Sequence, residues 1–155
     1  MTMQRTLIII KPDAINRGLA GEILSRFENK GLKIVGMKMK HLEDAELEEH
    51  YSHIKDKPFF PALRDFMKHS PSLVICLEGN GVVDAVRLMC GPTHGLQAAP
   101  GTIRGDFSMS IQQNVVHASE SDEMAESEIK RFFTTEELFD YPRVDAEMIY
   151  SQEER

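Results

Sequence analysis

The chain has 155 residues, 41% of them hydrophobic and 28% charged, the make-up of a folded, water-compatible protein whose length suits one domain over 1–155. A net charge of −7 argues against a general nucleic-acid surface, and no apolar run approaches the roughly 18–20 residues that span a bilayer. Leu7–Ile10 is too short for a signal-peptide core and is closed by Lys11, so the expected location is the cytoplasm.

Arg5 to Lys11 reads as a buried strand, ended by Pro12-Asp13. Leu19, Ile23, Leu24 and Phe27 recur at helical spacing, and Gly31 is a C-terminal stop. Lys33 to His41 reads as a half-buried strand in which Ile34 and Val35 lead into Met37 and Met39. Asp44 is placed to cap a helix carrying Leu47, Tyr51 and Ile54, which Pro58 breaks. Pro61 opens another through Leu63, Phe66 and Met67. Ser72–Glu78 is a second buried strand and Val82–Met89 a helix, followed by a long Gly/Pro-rich loop from Gly91 to Phe107. Ordered loops of that length are usually functional. Val115-Val116 forms a last short strand, and a helix runs from about Asp122 to Phe133. The tail from Thr134 has weak periodicity and suits an extension or a subunit contact. This order gives an α+β (α/β) fold, a ferredoxin-like βαββαβ sandwich with an antiparallel sheet and added helices. Cys76 and Cys90 read as reduced core thiols, without metal or redox spacing.

The most informative residues are Asn114-Val115-Val116-His117-Ala118-Ser119-Glu120-Ser121, which place one imidazole between a strand and an acidic helix. A histidine with a pKa of about 6.5 is largely neutral at pH 7 and has a free lone pair for attack on a terminal phosphate. Glu128, one to two turns into the next helix, can reach back to orient the ring, with Ser119 in support: nucleophile, orienter and brace. Arg104 lies between Gly101 and Gly105, which would permit close approach to a ligand, and a guanidinium fork suits phosphate. Arg87, Thr93 and Lys11 can serve the same oxygens, and an exposed Phe59 or Phe60 can stack on a base.

Two other patterns are set aside. Gly79-Asn80-Gly81-Val82-Val83-Asp84 lacks the last glycine of a dinucleotide fingerprint and reads as a tight strand–helix turn, which makes a dehydrogenase remote. His50 and His53 share a helix face but have no further ligands spaced to complete a metal site, so they read as surface or interface groups. No phosphate-cradling P-loop sequence is present, so a nucleotide would be held by side chains.

Thr6-Leu7-Ile8-Ile9-Ile10-Lys11-Pro12-Asp13, Arg17-Gly18-Leu19, Lys57-Pro58-Phe59-Phe60, Pro100-Gly101-Thr102-Ile103-Arg104-Gly105-Asp106-Phe107 and Asn114-Val115-Val116-His117 together resemble the nucleoside diphosphate kinase family over nearly the full chain. The resemblance implies that His117 accepts the phosphoryl group, with Lys11 and Asn114 near ribose and phosphates. It further implies that Arg87, Thr93 and Arg104 hold the phosphates and Phe59 stacks on the base. Tyr51 would lie close to the histidine, which Ser119 and Glu128 orient. The implied reaction is ping-pong: a triphosphate carrying Mg²⁺ on its phosphates loads His117, and a different diphosphate unloads it. A homo-oligomer is implied as well, a hexamer or a tetramer. The chain departs from the family at Ala118 and Glu120, where Gly-Ser-Asp-Ser is usual after the histidine. It also departs at Arg131, where a tryptophan is frequent, and at Gly95, where many members have proline. A nucleotide-responsive scaffold or single-stranded nucleic-acid binder on the same fold is the rival reading; it predicts binding without exchange.

Overall fold

The computed structural model describes residues 3–155. Four strands, β1 (Met3–Ile10), β2 (Lys33–Lys40), β3 (Ser72–Asn80) and β4 (Val116–Ala118), form one antiparallel sheet in the order β2-β3-β1-β4. Leu7–Ile10 and Val74–Leu77 read as unbroken apolar runs because both sheet faces are covered. Alternation then deals their side chains to two layers. Ile8, Ile10, Ile75 and Leu77 pack with α2 (Ala20–Lys30) and α5 (Val82–Cys90). Leu7, Ile9, Val74 and Cys76 pack with α3 (Asp44–His50), α4 (Phe60–Lys68) and α7 (Asp122–Phe132). The sheet order, with helices on both faces, is the ferredoxin-like arrangement expected from the sequence.

Several boundaries differ from the sequence expectation. Pro12 does not merely stop β1; it opens a short helix, α1 (Pro12–Asn16), whose missing N–H costs nothing at that position. Glu43, not Asp44, is the N-cap of α3, and Glu46 returns its carboxylate to the Glu43 N–H. α3 ends at His50, well before Pro58. In β2 a bulge between Ile34 and Gly36 reverses the side-chain alternation, so Met37 and Met39 face solvent. The supposed loop from Gly91 holds a 3₁₀ turn at Gly95–Gln97 and a short helix, α6 (Ile103–Phe107), capped by the Thr102 hydroxyl accepting from Gly105 N–H. The C-terminal tail packs as an extension on its own chain. Phe139 N–H donates to Val35 O (2.8 Å), the Tyr141 hydroxyl to Ile34 O, and Arg143 to Gly31 O (3.0 Å), while α8 (Ala146–Ile149) sets Ile149 over Gly31.

The two glycines beside Arg104 differ in what requires them. Gly101 has φ +97° with open space around it, whereas Gly105 serves packing rather than ligand approach, which corrects the sequence reading there: a Cβ on it would overlap the Ala99 carbonyl. Gly105→Ala is therefore expected to cost about 3 kcal/mol, lowering Tm by roughly 6–12 °C in a thermal melt. An unchanged Tm would show that the turn yields freely. Gly95 is likewise fitted: its N–H donates to Ser110 O (3.1 Å) and a Cβ would overlap the Ser108 carbonyl, so a proline has no room here.

Candidate active site

β4 is an edge strand, and His117 pairs with Ile9 across the ladder. Opposite residues share a face, so the imidazole points with Ile9 toward the layer of α3, α4 and α7. There the His117 Nε2–H donates to Glu128 Oε1 (3.2 Å), and the Ser119 hydroxyl donates to the same oxygen (2.6 Å). Ser119 is itself pinned by accepting from Leu7 N–H (3.2 Å). Glu128 is buried, which pushes its carboxyl up, but the hydrogen bonds from His117 and Ser119 and the nearby positive charges outweigh this and hold it below the usual range. The carboxylate selects the tautomer with the proton on Nε2, so Nδ1 keeps its lone pair and has no protein partner among the described residues. The ring is 16% exposed at the side chain, enough to be reached.

Backbone strain precedes the histidine. Val115 has φ +63°, and Val116 N–H bonds back to Asn114 O (2.8 Å), closing a three-residue γ-turn. The turn is held from outside: Val115 N–H donates to Asp13 Oδ2 (3.1 Å) and Val115 O accepts from Lys11 N–H (2.9 Å). The strand therefore starts at Val116, and Val115 is a turn residue instead of a strand residue.

Arg104, on α6, is 9% exposed and knits this turn to the end of α5. Its Nε and NH2 donate to Asn114 O (3.3 Å) and Val116 O (2.6 Å), and its NH1 to Gly91 O (2.7 Å). One N–H on each terminal nitrogen stays uncommitted. Lys11, 6% exposed, donates from Nζ to Asn114 Oδ1 (2.7 Å), whose amide in turn donates to Thr93 O (3.1 Å). Burial first, and the Arg104 charge second, lower the Lys11 ammonium to about 8, with Asp13 opposing. No carboxylate of the described residues lies within 4.0 Å of Lys11, Arg87 or Arg104, although the chain as a whole carries excess acid.

These cations open on a cleft of about 580 Å³ whose wall includes Lys11, Tyr51, Phe59, Arg87, Thr93, Arg104, Asn114 and His117, with Ser119 and Glu128 behind the ring. The side chains picked from the sequence, Phe60 apart, are thus gathered at one place. Phe59 is 50% exposed at the rim, whereas Phe60 is in the core at 4%. Tyr51 is buried with its hydroxyl unpartnered among the described residues, and burial raises its phenol further from ionisation. Cys90 also touches the cleft, but burial pushes its thiol up to about 11. A second hollow of about 580 Å³ between β1, α7 and the tail has no such chemistry, and its Arg5 is ion-paired with Glu78 (2.9 Å).

Sequence reasoning missed three residues. Asp13 holds the strained turn, as described above. His50 is no surface group: it is 3% exposed, 4.5 Å ring to ring from His117, with Nδ1 3.7 Å from Glu128 Oε2. Arg131 donates to that Nδ1 at 3.0 Å. No local spacing could reveal this, because the partners come from distant parts of the chain. The Gly79–Gly81 segment is the tight strand–helix turn expected, with Gly81 at φ +60° capping α5.

A burial penalty on Lys11 has a measurable sign. Below pH 8 both folded and unfolded chains hold the proton and the penalty is complete. It is relieved as pH rises from about 8 toward the unfolded value of 10.5. Urea unfolding of wild type relative to Lys11→Met should therefore improve by about 2–3 kcal/mol between about pH 7.5 and 10.5. A difference independent of pH would contradict a depressed ammonium.

Residues 4–138 match the family model described as nucleoside diphosphate kinase. The chain belongs to the nucleoside diphosphate kinase family. Among relatives, a nucleoside diphosphate kinase from Parabacteroides distasonis is 52% identical, over 98% of this chain and 99% of that protein. The fold superposes with a TM-score of 0.94 on a halophilic nucleoside diphosphate kinase from Halobacterium salinarum in complex with CDP, 39% identical, covering 97% of this chain and 100% of that one. A Borrelia burgdorferi nucleoside diphosphate kinase, a transition-state mimic with bound vanadate and ADP, aligns with a TM-score of 0.88 at 37% identity, covering 94% and 96%.

Proposed function

We propose that this nucleoside diphosphate kinase works by ping-pong transfer of a terminal phosphoryl group through His117. The observation that carries the reading is the meeting, in one cleft, of an imidazole with a free Nδ1 and three cations that lack counter-ions among the described residues. The Nδ1 lone pair attacks the terminal phosphorus of a nucleoside triphosphate, the bond to the bridging oxygen breaks, and its electron pair leaves on the diphosphate. The imidazole becomes positively charged, and Glu128 stabilises it through the Nε2–H, as Ser119 fixes the carboxylate. Reversal with a different diphosphate completes exchange. One cleft serves donor and acceptor in turn, so two nucleotides need not be aligned together.

Lys11, Arg87 and Arg104 would spread the charge of the transferring oxygens, Thr93 and Asn114 would meet phosphates or ribose, and Phe59 would stack on the base. Stacking on one face without reading a base edge implies broad base tolerance. The CDP and ADP complexes of the structural relatives support nucleotide binding by this chain. Mg²⁺ would arrive on the nucleotide phosphates and screen their charge. His50, His117 and Glu128 offer one ligand atom each within 4.8 Å, but imidazoles are poor Mg²⁺ ligands and the Arg131 guanidinium already lies 3.0 Å from the His50 ring. Glu120 is the one carboxylate in the cleft wall among the described residues.

The remaining readings are a single domain over 1–155, a cytoplasmic location and a homo-oligomer, a hexamer before a tetramer. No helix of the described residues is long and apolar enough to cross a membrane. Exposed apolar side chains such as Leu88, Leu96, Met109 and Val144 are the surfaces an assembly would cover. Light scattering on the purified chain measures the assembly. The deciding assay is phosphate exchange between unlike nucleotides with and without Mg²⁺: exchange is expected with Mg²⁺, and nucleotide binding without exchange would overturn the enzyme reading.

A further inference from the structure

The Glu128 carboxylate has two imidazole neighbours. His117 faces Oε1 at 3.2 Å, while His50, at the end of α3, sets its Nδ1 3.7 Å from Oε2. If Nδ1 of His50 carried a proton it could close that gap and draw the carboxylate away from His117. Arg131 stands in the way. It lies one turn beyond Glu128 on α7 and so shares its face; its side chain is 10% exposed, and its Nε is 3.3 Å from the Glu49 carboxylate. Its NH1 reaches His50 Nδ1 at 3.0 Å. A guanidinium has only donors, so Nδ1 must be the acceptor, and the neutral ring keeps its proton on Nε2, a buried atom without a hydrogen-bond partner among the described residues.

We propose that Arg131 is a positioning residue: by donating to Nδ1 of His50 it keeps that imidazole neutral and off Glu128, reserving the carboxylate for His117. The proposal rests on the reading of His117 as phosphoryl acceptor. The surroundings of His50 agree with it. Facing the ring are Glu128 and Arg131 from α7, His117 from β4, Lys11 after β1, and Glu49, Tyr51 and His53 from α3 and the turn that follows. Burial first, then the charges of His117, Arg131, Lys11 and His53, push its imidazole well below the ordinary value.

The test compares wild type, Arg131→Met, Arg131→Lys and the double variant Arg131→Met/His50→Phe. It reads kcat and KM for nucleotide exchange from about pH 5.5 to 8.5, the range of an unperturbed histidine. Arg131→Met frees His50 to protonate, so kcat should fall about tenfold near pH 6, the scale of one pKa unit, and recover toward pH 8 with KM nearly unchanged. Arg131→Lys should keep most of the acid-side rate. The double variant, with no ring nitrogen to protonate, should regain it. A loss equal at every pH, or one that persists in the double variant, would mean that Arg131 only packs, and would overturn the proposal. Nitrogen chemical shifts of the wild-type histidines test it without any variant: His50 should hold its proton on Nε2 throughout, and an imidazolium near pH 6 would refute it. Failure of wild type to exchange phosphate at all overturns the functional reading itself, and the proposal with it.

Discussion

His117→Ala is expected to abolish stable labelling of the protein by a terminally labelled triphosphate and to reduce exchange by on the order of 10⁴-fold or more, the scale seen when a covalent nucleophile is removed. The cleft, its cations and Phe59 are untouched, so nucleotide affinity should change little and the loss should fall on kcat. The fold should survive. The ring is at an edge strand, and its removal takes one hydrogen bond from Glu128, which keeps that from Ser119. A stability loss of about 1–2 kcal/mol is expected. Stoichiometric labelling of the folded variant would place the acceptor elsewhere.

Arg104→Lys is expected to be nearly as severe, although the charge is kept. The guanidinium donates to Gly91 O, Asn114 O and Val116 O together, bracketing the strained Val115 turn that aims His117. An ammonium cannot span three carbonyls and still present a fork to phosphate. Unfolding free energy should fall by about 2–4 kcal/mol as buried carbonyls lose partners. The rate constant kcat/KM should fall by about 10³-fold, the lower end for an arginine that stabilises a transferring phosphoryl group. Equal loss of stability with intact kcat/KM would assign Arg104 a structural task alone.

The contrast among residues explains what could be read from sequence. The paired strands were legible because Leu7–Ile10 and Val74–Leu77 are apolar at every position, and α2 because Gly31 closes a clean helical period. His117, Ser119 and Glu128 were legible because strand, turn and one helical turn bring them together locally. α6 was hidden, since the glycines and Pro100 around it read as loop; its helix depends on the Thr102 cap and on Gly105 passing close to Ala99. His50 was misread because its two partners, Glu128 and Arg131, arrive from a helix that only the sheet order sets beside α3. Val115 was taken for a strand residue because β-branched side chains favour strands; hydrogen bonds to Lys11 and Asp13 override that preference. The bulge that exchanges the faces of β2 between Ile34 and Gly36 has no local sequence signal, so the faces of Met37 and Met39 were not legible.

On the proposed mechanism, the arrangement of Glu128, Ser119 and the cationic cleft would make one atom the acceptor. Wild-type protein loaded with a nucleoside triphosphate, freed of nucleotide and examined by phosphorus and nitrogen NMR should carry one phosphoryl group, on Nδ1 of His117. A phosphoryl group on Nε2, on another side chain, or on none would contradict the account.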